Sequence, residues 1–250
     1  MEQELISKNA DIICLQEVDR FDDFFQPILK PLGFEGIWKK KISNFNKDGV
    51  ALFWNTNLIE LIKHEFYRFD NDNQVAIISL MKIKNTEIQF ALATTHLKAA
   101  TGFDEQRLKQ GHELTTRTEH FLHTLGIDIK TIPVIITGDF NDYPISPVIQ
   151  FMLNGKTLHT DNSTKSLSHN FTFQSAYKSY DNSGKEPWTT YKKRAREILE
   201  TIDYIFYTPH KIQVKQLLEI PDVSALPNRM PSDTYPSDHI AIMAELAFLN

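Results

Sequence analysis

The sequence predicts an α+β protein, a four-layer α/β/β/α sandwich in which two packed mixed β-sheets lie between outer helices. Short apolar runs rich in β-branched residues, each bounded by turn-forming residues, outnumber the helical segments along the chain. The helical segments separate these runs at irregular intervals, without the strict strand–helix alternation of a parallel sheet. Such an order suits sheets that pack on each other with helices outside them.

The composition is that of an ordinary globular protein, and it limits the partners that we expect. The chain has 250 residues, of which 41% are hydrophobic and 24% charged, enough for one large domain with a sizeable core. Its formal net charge is −5, so a nucleotide site would depend on local basic residues. No apolar run reaches the roughly 18–20 residues that cross a membrane. We expect a monomer without membrane contact.

The single cysteine bears on the cellular compartment. Cys14 lies within an apolar run and has no second cysteine with which to form an internal disulfide. A buried free thiol suits a reducing compartment. We therefore expect a cytoplasmic protein, or a mitochondrial one if a targeting segment lies upstream.

The first half of the chain predicts two helices and several strands. Helices are predicted over residues 2–9 and 22–32, the second closed by Gly33. Strands are predicted over residues 12–15, 34–38, 50–54, 58–67, 75–83 and 88–94, with turn signals at 48–49 and 85–86. The basic run 39–41 between two strands predicts a solvated loop, and attraction of phosphate is its alternative interpretation.

The second half predicts longer helices and a polar excursion. Residues 103–125 carry leucine and phenylalanine near one helical face, with Gly126 as a plausible C-cap. A strand over 134–137 and a short helix from 147 to about 154 follow. Residues 155–198 are polar and turn-rich and predict little regular structure. Strands are predicted over 201–207, 212–218 and 240–246, with a proline-rich loop over 221–236.

Polar side chains stand at or near the ends of five predicted strands. They are Glu17, His96, Asp139 with Asn141, Asp203, and Asp238 with His239. Each has a bland interpretation, as a turn, a surface residue or a structural histidine. Asp203 differs, because it lies in an otherwise apolar run and a buried aspartate needs a partner. Together these residues would converge on one rim of a sandwich.

This set of residue types suits the hydrolysis of phosphate esters. Mg²⁺ binds oxygen ligands and keeps several waters, so that one or two carboxylates suffice. A bound metal polarises the phosphoryl oxygen, and an aspartate can activate the attacking water. Imidazole and carboxamide groups can donate hydrogen bonds to the phosphoryl oxygens as their charge shifts.

Five segments resemble, in the same order, the motifs of the endonuclease/exonuclease/phosphatase family. They are LQEVD at 15–19, THLKA at 95–99, GDFN at 138–141, TIDY at 201–204 and YPSDH at 235–239. Further segments, at 25–27, 98–102, 189–192 and 227–231, are similar to the branch of the family that is related to the carbon catabolite repression deadenylases. The resemblance covers nearly the whole chain and implies the four-layer sandwich and a Mg²⁺-dependent phosphoesterase.

The resemblance also implies roles for individual residues. Glu17 would bind the metal, and Asp139 and Asn141 would lie at the water and the phosphate. His96 would line the same pocket.

The remaining roles concern the phosphate. His239, with Asp238 beside it, would contact the phosphoryl group, and Asp203 would orient His239. The basic residues that would contact substrate phosphates are Lys41, Lys98 and Arg194.

The resemblance leaves two classes of substrate open, a dinucleotide and an RNA. We expect removal of the 2′-phosphate of NADP(H) or a similar adenine dinucleotide, and a poly(A)-specific 3′-exoribonuclease is the alternative. The pI near 6.0 favours the small substrate, because RNA binding rewards a broad basic surface. A catalytically weak domain that binds partners is the second alternative.

Two features depart from the family pattern. Ala100 stands where this branch has an arginine after Lys-Ala, which removes one phosphate contact. Family members also begin with a strand that carries an asparagine at the metal rim, and no such segment precedes residues 12–15 here. We therefore expect residues 1–250 to be one catalytic domain of this family, truncated at its amino terminus, with an unpaired strand edge. The alternative is a protein that lacks this active-site residue and this core strand.

Overall fold

The structure is a computed structural model that describes residues 2–42, 47–70, 72–157, 166–180, 183–193, 197–227 and 230–249. Its α-helices are α1 (Glu2–Ser7), α2 (Gln26–Leu29), α3 (Asp104–Thr124) and α4 (Pro147–Asn154). Its strands are β1 (Ile12–Val18), β2 (Phe34–Lys40), β3 (Gly49–Asn55), β4 (Ile59–Arg68), β5 (Val75–Ile83), β6 (Gln89–His96), β7 (Val134–Asp139), β8 (Gln174–Ser175), β9 (Thr190–Lys193), β10 (Glu197–Glu200), β11 (Asp203–Tyr207), β12 (Ile212–Leu217) and β13 (Ala244–Phe248).

Two sheets form the centre of the molecule. The larger has the strand order β4-β5-β6-β7-β11-β8 and is mixed, since β6 and β7 run parallel and the other pairs are antiparallel. The smaller has the order β1-β3-β2 and is antiparallel. Two hairpins, β9–β10 and β12–β13, accompany them. Within the described residues, the pairing of β1 is with β3.

Side chains on β5 show how the large sheet is covered on both faces. Ala76 and Ile78 join a core cluster with residues of α3 and α4. Val75 and Ile77 point the other way, into a cluster with Leu52 of the small sheet. This period of two is what an extended strand imposes, and both faces of the strand are apolar because both are buried.

A third apolar cluster adds the outer layer on the small sheet. A π-helical turn at Phe21–Phe25 leads into α2, and Phe21 and Leu29 pack against Ala51 and Phe53 of β3. The order of layers is therefore helix, small sheet, large sheet and the pair α3–α4. This confirms the predicted fold class, with packed sheets between helices. Across the described ranges, no helix is both long enough and apolar enough to cross a membrane.

Most predicted helices and strands agree with the structure to within about three residues of each end. The helix predicted over 22–32 is divided, with α2 at Gln26–Leu29 between a π-helical and a 3₁₀ turn. The last strand is an exception, because β13 begins at Ala244 rather than at 240. Residues 238–240 instead contact β9, where Ile240 N–H donates to the Thr189 carbonyl and His239 forms a bridge with Thr190. Tertiary pairing has therefore overridden the local apolar pattern.

Two further predictions need correction. Residues 155–198 contain β8, β9 and the beginning of β10, strands of two to four residues that are too short for an apolar alternation to indicate them. The basic run 39–41 is not a solvated loop: Lys39 and Lys40 end β2, and Lys41 is 6% exposed. Lysines are common on such edge strands, because their charge discourages pairing with another chain.

Candidate active site

Three of the predicted site residues form one row across the large sheet. His96, at the end of β6, lies opposite Asp139, at the end of β7. Asp139 in turn lies opposite Asp203, the first residue of β11. Directly opposed residues on adjacent strands point to the same face, with Cβ atoms about 4.5–5.5 Å apart. His96 Nε2 accordingly lies 3.6 Å from Asp139 Oδ2.

The turn after β7 is fixed by its own polar groups. Asn141 N–H donates to Asp139 Oδ1 at 2.7 Å, and Asn141 has a left-handed φ of 52°. The Asn141 carboxamide donates to the Leu97 carbonyl at 3.1 Å, which ties this turn to the end of β6. Asparagine accepts a positive φ more readily than most residues, so the residue type suits its place.

A fourth residue reaches the row from a loop. His239 Nδ1 lies 2.9 Å from Asp203 Oδ2, and His239 Nε2 lies 3.9 Å from Asp139 Oδ2. Asp203, whose side chain is 12% exposed, therefore has the partner that a largely buried aspartate requires. The ligand atoms of Asp139, Asp203 and His239 all lie within 4.8 Å of one another.

Thr189 is a site residue to which the sequence assigned no role. Its hydroxyl donates to Asp203 Oδ2 at 2.6 Å and accepts from the Asp203 N–H at 3.1 Å. Thr189 is only 2% exposed, so these bonds form away from water. The resemblance of residues 189–192 to the family branch marked this segment, but a sequence pattern does not show which acidic group a threonine contacts.

Burial and neighbouring charge set the protonation states of the row. Burial, and then the charge of Asp203, raise the pKa of the Asp139 carboxyl well above its usual range. Burial opposes the charged form of His239, but the attraction of Asp203, Asp139 and Asp238 outweighs it and raises the His239 pKa to about 9. Burial and Lys41 lower the pKa of His96 to about 3. The row thus combines a neutral and a charged imidazole.

These states fix which imidazole nitrogens donate. Lys41 Nζ lies 3.5 Å from His96 Nδ1, and an ammonium group can only donate, so Nδ1 accepts and Nε2–H faces Asp139. Protonated His239 donates through Nδ1 to Asp203 and keeps its Nε2–H near Asp139. The site therefore presents two N–H donors beside one buried carboxyl group.

The predicted phosphate-binding residues differ in their surroundings. Lys41 is buried and pairs with Asp48 at 2.6 Å. Lys98 is half-buried, with its ammonium 5.0 Å from the centre of the Phe103 ring. Arg194 lies outside the described residues.

Asp238 contacts a lysine rather than the row. Its carboxylate pairs with Lys192 Nζ at 3.2 Å, while its carbonyl accepts from the Thr190 hydroxyl at 2.9 Å. Its charge still contributes to the raised pKa of His239. Asp238 thereby fixes the loop that carries His239.

Glu17 lies at an irregularity of β1 on the other sheet. The pairing of β1 with β3 shifts between Leu15 and Val18, and Glu17 has a left-handed φ of 56°. Such a φ is uncommon for a residue in a strand and is typical of functional sites. The charge of Glu17 contributes to the raised pKa of Asp139, so the two carboxyl groups interact.

The donor set fits a hard cation. Glu17, Asp139 and Asp203 offer the oxygen ligands that Mg²⁺ prefers, and their mutual repulsion would be relieved by a positive charge. His239 fits a metal less well, because Asp203 stabilises its protonated form. Asp203 is already bound to His239 and Thr189. Glu17, whose charge interacts with that of Asp139, is therefore the residue that best suits the ion.

Comparisons with known proteins agree with this geometry. The chain matches the Endonuclease/Exonuclease/phosphatase family over residues 1–239. Nocturnin of Homo sapiens is 35% identical over 262 residues, an alignment that covers 98% of this chain and 56% of nocturnin. The CCR4-Not complex 3′–5′-exoribonuclease subunit Ccr4 of Yarrowia lipolytica is 29% identical over 306 residues, which cover 98% of this chain and 43% of Ccr4. The chain thus spans little more than half of human nocturnin.

Solved structures agree in the same way. The human nocturnin catalytic domain with a bound sulfate anion superposes with a TM-score of 0.79 at 32% identity, covering 99% of this chain and 84% of that domain. ANGEL2, a 2′,3′-cyclic phosphatase, has a TM-score of 0.84 at 22% identity, covering 98% of this chain and 84% of ANGEL2, and supports the fold alone. The first of these structures also agrees with the sequence motifs, which resemble those of nocturnin within the deadenylase-related branch.

Proposed function

The chain belongs to the endonuclease/exonuclease/phosphatase family, and from this premise we propose that it is a Mg²⁺-dependent phosphoesterase that removes the 2′-phosphate of NADP(H). The observation that carries the proposal is the row of His96, Asp139 and Asp203, with His239 bound to Asp203 at 2.9 Å. One basic group and two N–H donors lie within reach of a single phosphoryl group. That arrangement serves the attack of water on phosphorus.

The residues divide the reaction between them. Asp139, whose burial makes it a stronger base, accepts a proton from the attacking water. The Nε2–H groups of His239 and His96 donate to the phosphoryl oxygens as the bond from phosphorus to the ribose 2′-oxygen breaks. The leaving 2′-oxygen takes up a proton from solvent and Asp139 returns to solvent the proton that it accepted, so that the products are NAD(H) and inorganic phosphate.

The metal would be held by Glu17, whose charge interacts with that of Asp139. When bound, Mg²⁺ would withdraw charge from the phosphoryl oxygens and favour the ionised form of Asp139. Lys41 and Lys98, with Arg194, supply the positive charge for the other phosphates. The protein is then a single catalytic domain of this family, which acts as a cytoplasmic monomer.

A poly(A)-specific 3′-exoribonuclease is the second candidate. It is favoured by the similarity to Ccr4, which is an exoribonuclease subunit, and by Ala100, which removes an arginine from the nocturnin pattern. The pI near 6.0 argues against it, since the affinity for RNA depends on the number of phosphates that basic residues neutralise. A binding domain without activity is the third candidate, and the geometry of the row argues against it.

One assay separates the three candidates. The purified protein is incubated with NADPH and with an adenosine oligonucleotide, each in Mg²⁺ and in EDTA, and the release of phosphate or of AMP is measured. We expect phosphate from NADPH in Mg²⁺ alone. AMP release from the oligonucleotide without NADPH turnover would select the exoribonuclease, and no product from either would select the binding domain.

A further inference from the structure

A buried arginine on α3 connects the two loops that leave β6 and β7. Arg107 is 3% exposed, and its Nε donates to Asp142 Oδ2 at 2.7 Å. Its Nη1 donates to the carbonyls of Lys98 at 3.2 Å and Ala100 at 2.8 Å, and its Nη2 pairs with Asp104. One planar guanidinium thus contacts two backbone carbonyls of the loop after β6 and two carboxylates.

The same helix also contacts Lys98 from its other side. Gln110, one turn after Arg107, accepts from the Lys98 N–H at 2.9 Å and donates to Asp72 at 2.6 Å. Both backbone polar groups of Lys98 are therefore bound to side chains of α3. A half-buried lysine whose backbone is fixed on both sides extends its side chain from a defined point.

These loops are continuous with the candidate site. Leu97 N–H donates to the Asp139 carbonyl at 2.9 Å, and Asn141 donates to the Leu97 carbonyl. Asp142 follows Asn141 directly, and its carbonyl accepts from the Tyr204 hydroxyl at 2.9 Å. A displacement of Arg107 would therefore move Lys98 and the turn at Asn141 together.

We propose that Arg107, with Gln110, is a positioning residue that places Lys98 for contact with a substrate phosphate. The inference deepens the proposed function and rests on it. A lysine at 107 could retain one ionic bond to Asp142, but it lacks the fork that reaches two carbonyls as well. The competing interpretation is a buried ion pair that stabilises the fold and nothing else.

A double-mutant cycle distinguishes positioning from stability. Arg107→Lys, Lys98→Ala and the double variant are compared with the unaltered protein for binding of adenosine 2′,5′-bisphosphate by calorimetry and for turnover of NADPH. Arg117→Lys is the matched control, because Arg117 lies on the same helix and pairs with Glu65 outside these loops. Thermal melting is recorded for each variant.

The expected result is strong coupling. Each single variant weakens bisphosphate binding and raises the KM for NADPH about tenfold. The double variant binds the bisphosphate as well as the weaker-binding single variant does, because Arg107 acts only through the position of Lys98. Arg117→Lys leaves binding unchanged. Additive losses, or equal losses in Arg117→Lys, would overturn the inference. Absence of bisphosphate binding by the unaltered protein would overturn it too.

A second variant keeps the test open if Arg107→Lys does not fold. Gln110→Met has a similar side-chain volume but cannot accept the hydrogen bond from the Lys98 N–H. It is combined with Lys98→Ala in the same double-mutant cycle and judged by the same criteria. The proposed function is judged separately, by NADPH turnover of the unaltered protein. If the binding losses are coupled but NADPH is not turned over, the positioning role holds and the phosphatase activity is disproved. If NADPH is turned over but the losses are additive, the phosphatase activity holds and the positioning role is disproved.

Discussion

The strand-borne half of the site, formed by His96, Asp139 and Asp203, differs from the loop-borne half, formed by Lys98, Asp238 and His239. His96 and Asp139 are 2% and 5% exposed and lie in register on a sheet that is buried on both faces. The side chains of His239 and Asp238 are 27% and 31% exposed. The first half is fixed by the packing of its strands, and the second by hydrogen bonds from other side chains. Substitutions in the two halves should therefore differ in their effects on kcat, on the free energy of unfolding and on the placement of the site residues.

The largest effect is expected from removing the base without disturbing its strand. Asp139→Asn keeps the shape and the oxygen that accepts from Asn141 N–H, but it cannot take a proton. We expect kcat for NADPH to fall about 10²- to 10⁴-fold. The melting temperature should stay equal or rise, since burial disfavours the charged form of Asp139. Full turnover in this variant would disprove the assignment of the base.

Gly138→Ala tests whether the strand-borne half depends on backbone packing. Gly138 has a φ of 148°, and an added Cβ would clash with the Thr95 carbonyl of β6. Strain and overpacking together should cost about 3 kcal/mol of unfolding free energy, with loss of activity following loss of structure. Gly126→Ala is the control: Gly126 also has a positive φ but has no atom within 4 Å of the added Cβ, so it should cost about 1 kcal/mol. Equal losses would mean that close packing at Gly138 contributes nothing.

Thr189→Val tests the dependence of the loop-borne half on a single hydroxyl. The variant keeps the shape but removes the donor to Asp203 and leaves the Asp203 N–H without its acceptor. We expect kcat to fall about 10- to 100-fold through misplacement of Asp203 and His239, with stability reduced by about 1–3 kcal/mol. Thr189→Ser restores the hydroxyl and should recover most of kcat. If serine fails to rescue, the methyl group rather than the hydrogen bonds matters.

The same contrast explains what the sequence could predict. Apolar runs bounded by turn residues indicate which segments are buried and whether their apolar residues have the spacing of a strand or a helix. This information predicted the strands, and with them the rim at which His96, Asp139 and Asp203 meet. Apolar runs do not report which groups meet across loops. The burial of Lys41 depends on its ion pair with Asp48, and the path of residues 238–240 depends on contacts with β9. The sequence does not distinguish Arg107 from other polar residues of α3, because its partners lie on distant loops. The metal role of Glu17 and the phosphate roles of Lys98 and Arg194 remain predictions.

The smallest effect is expected at Ala100, where a missing arginine can be restored. Ala100 is exposed and already has a left-handed φ of 77°, so a longer side chain adds no further backbone strain. Its carbonyl is fixed by Arg107 at 2.8 Å, so a new side chain would start from a defined place beside Lys98.

Ala100→Arg should therefore add one charge-assisted fork to the phosphate and lower the KM for NADPH about tenfold, with little change in kcat. Ala99→Arg is the matched control, because Ala99 is also exposed and gains the same charge in a different direction. If both variants lower KM equally, the gain is general electrostatic attraction and not a fork. If neither changes KM while the unaltered protein shortens adenosine oligonucleotides, Ala100 marks a different substrate and the exoribonuclease takes the place of the phosphatase.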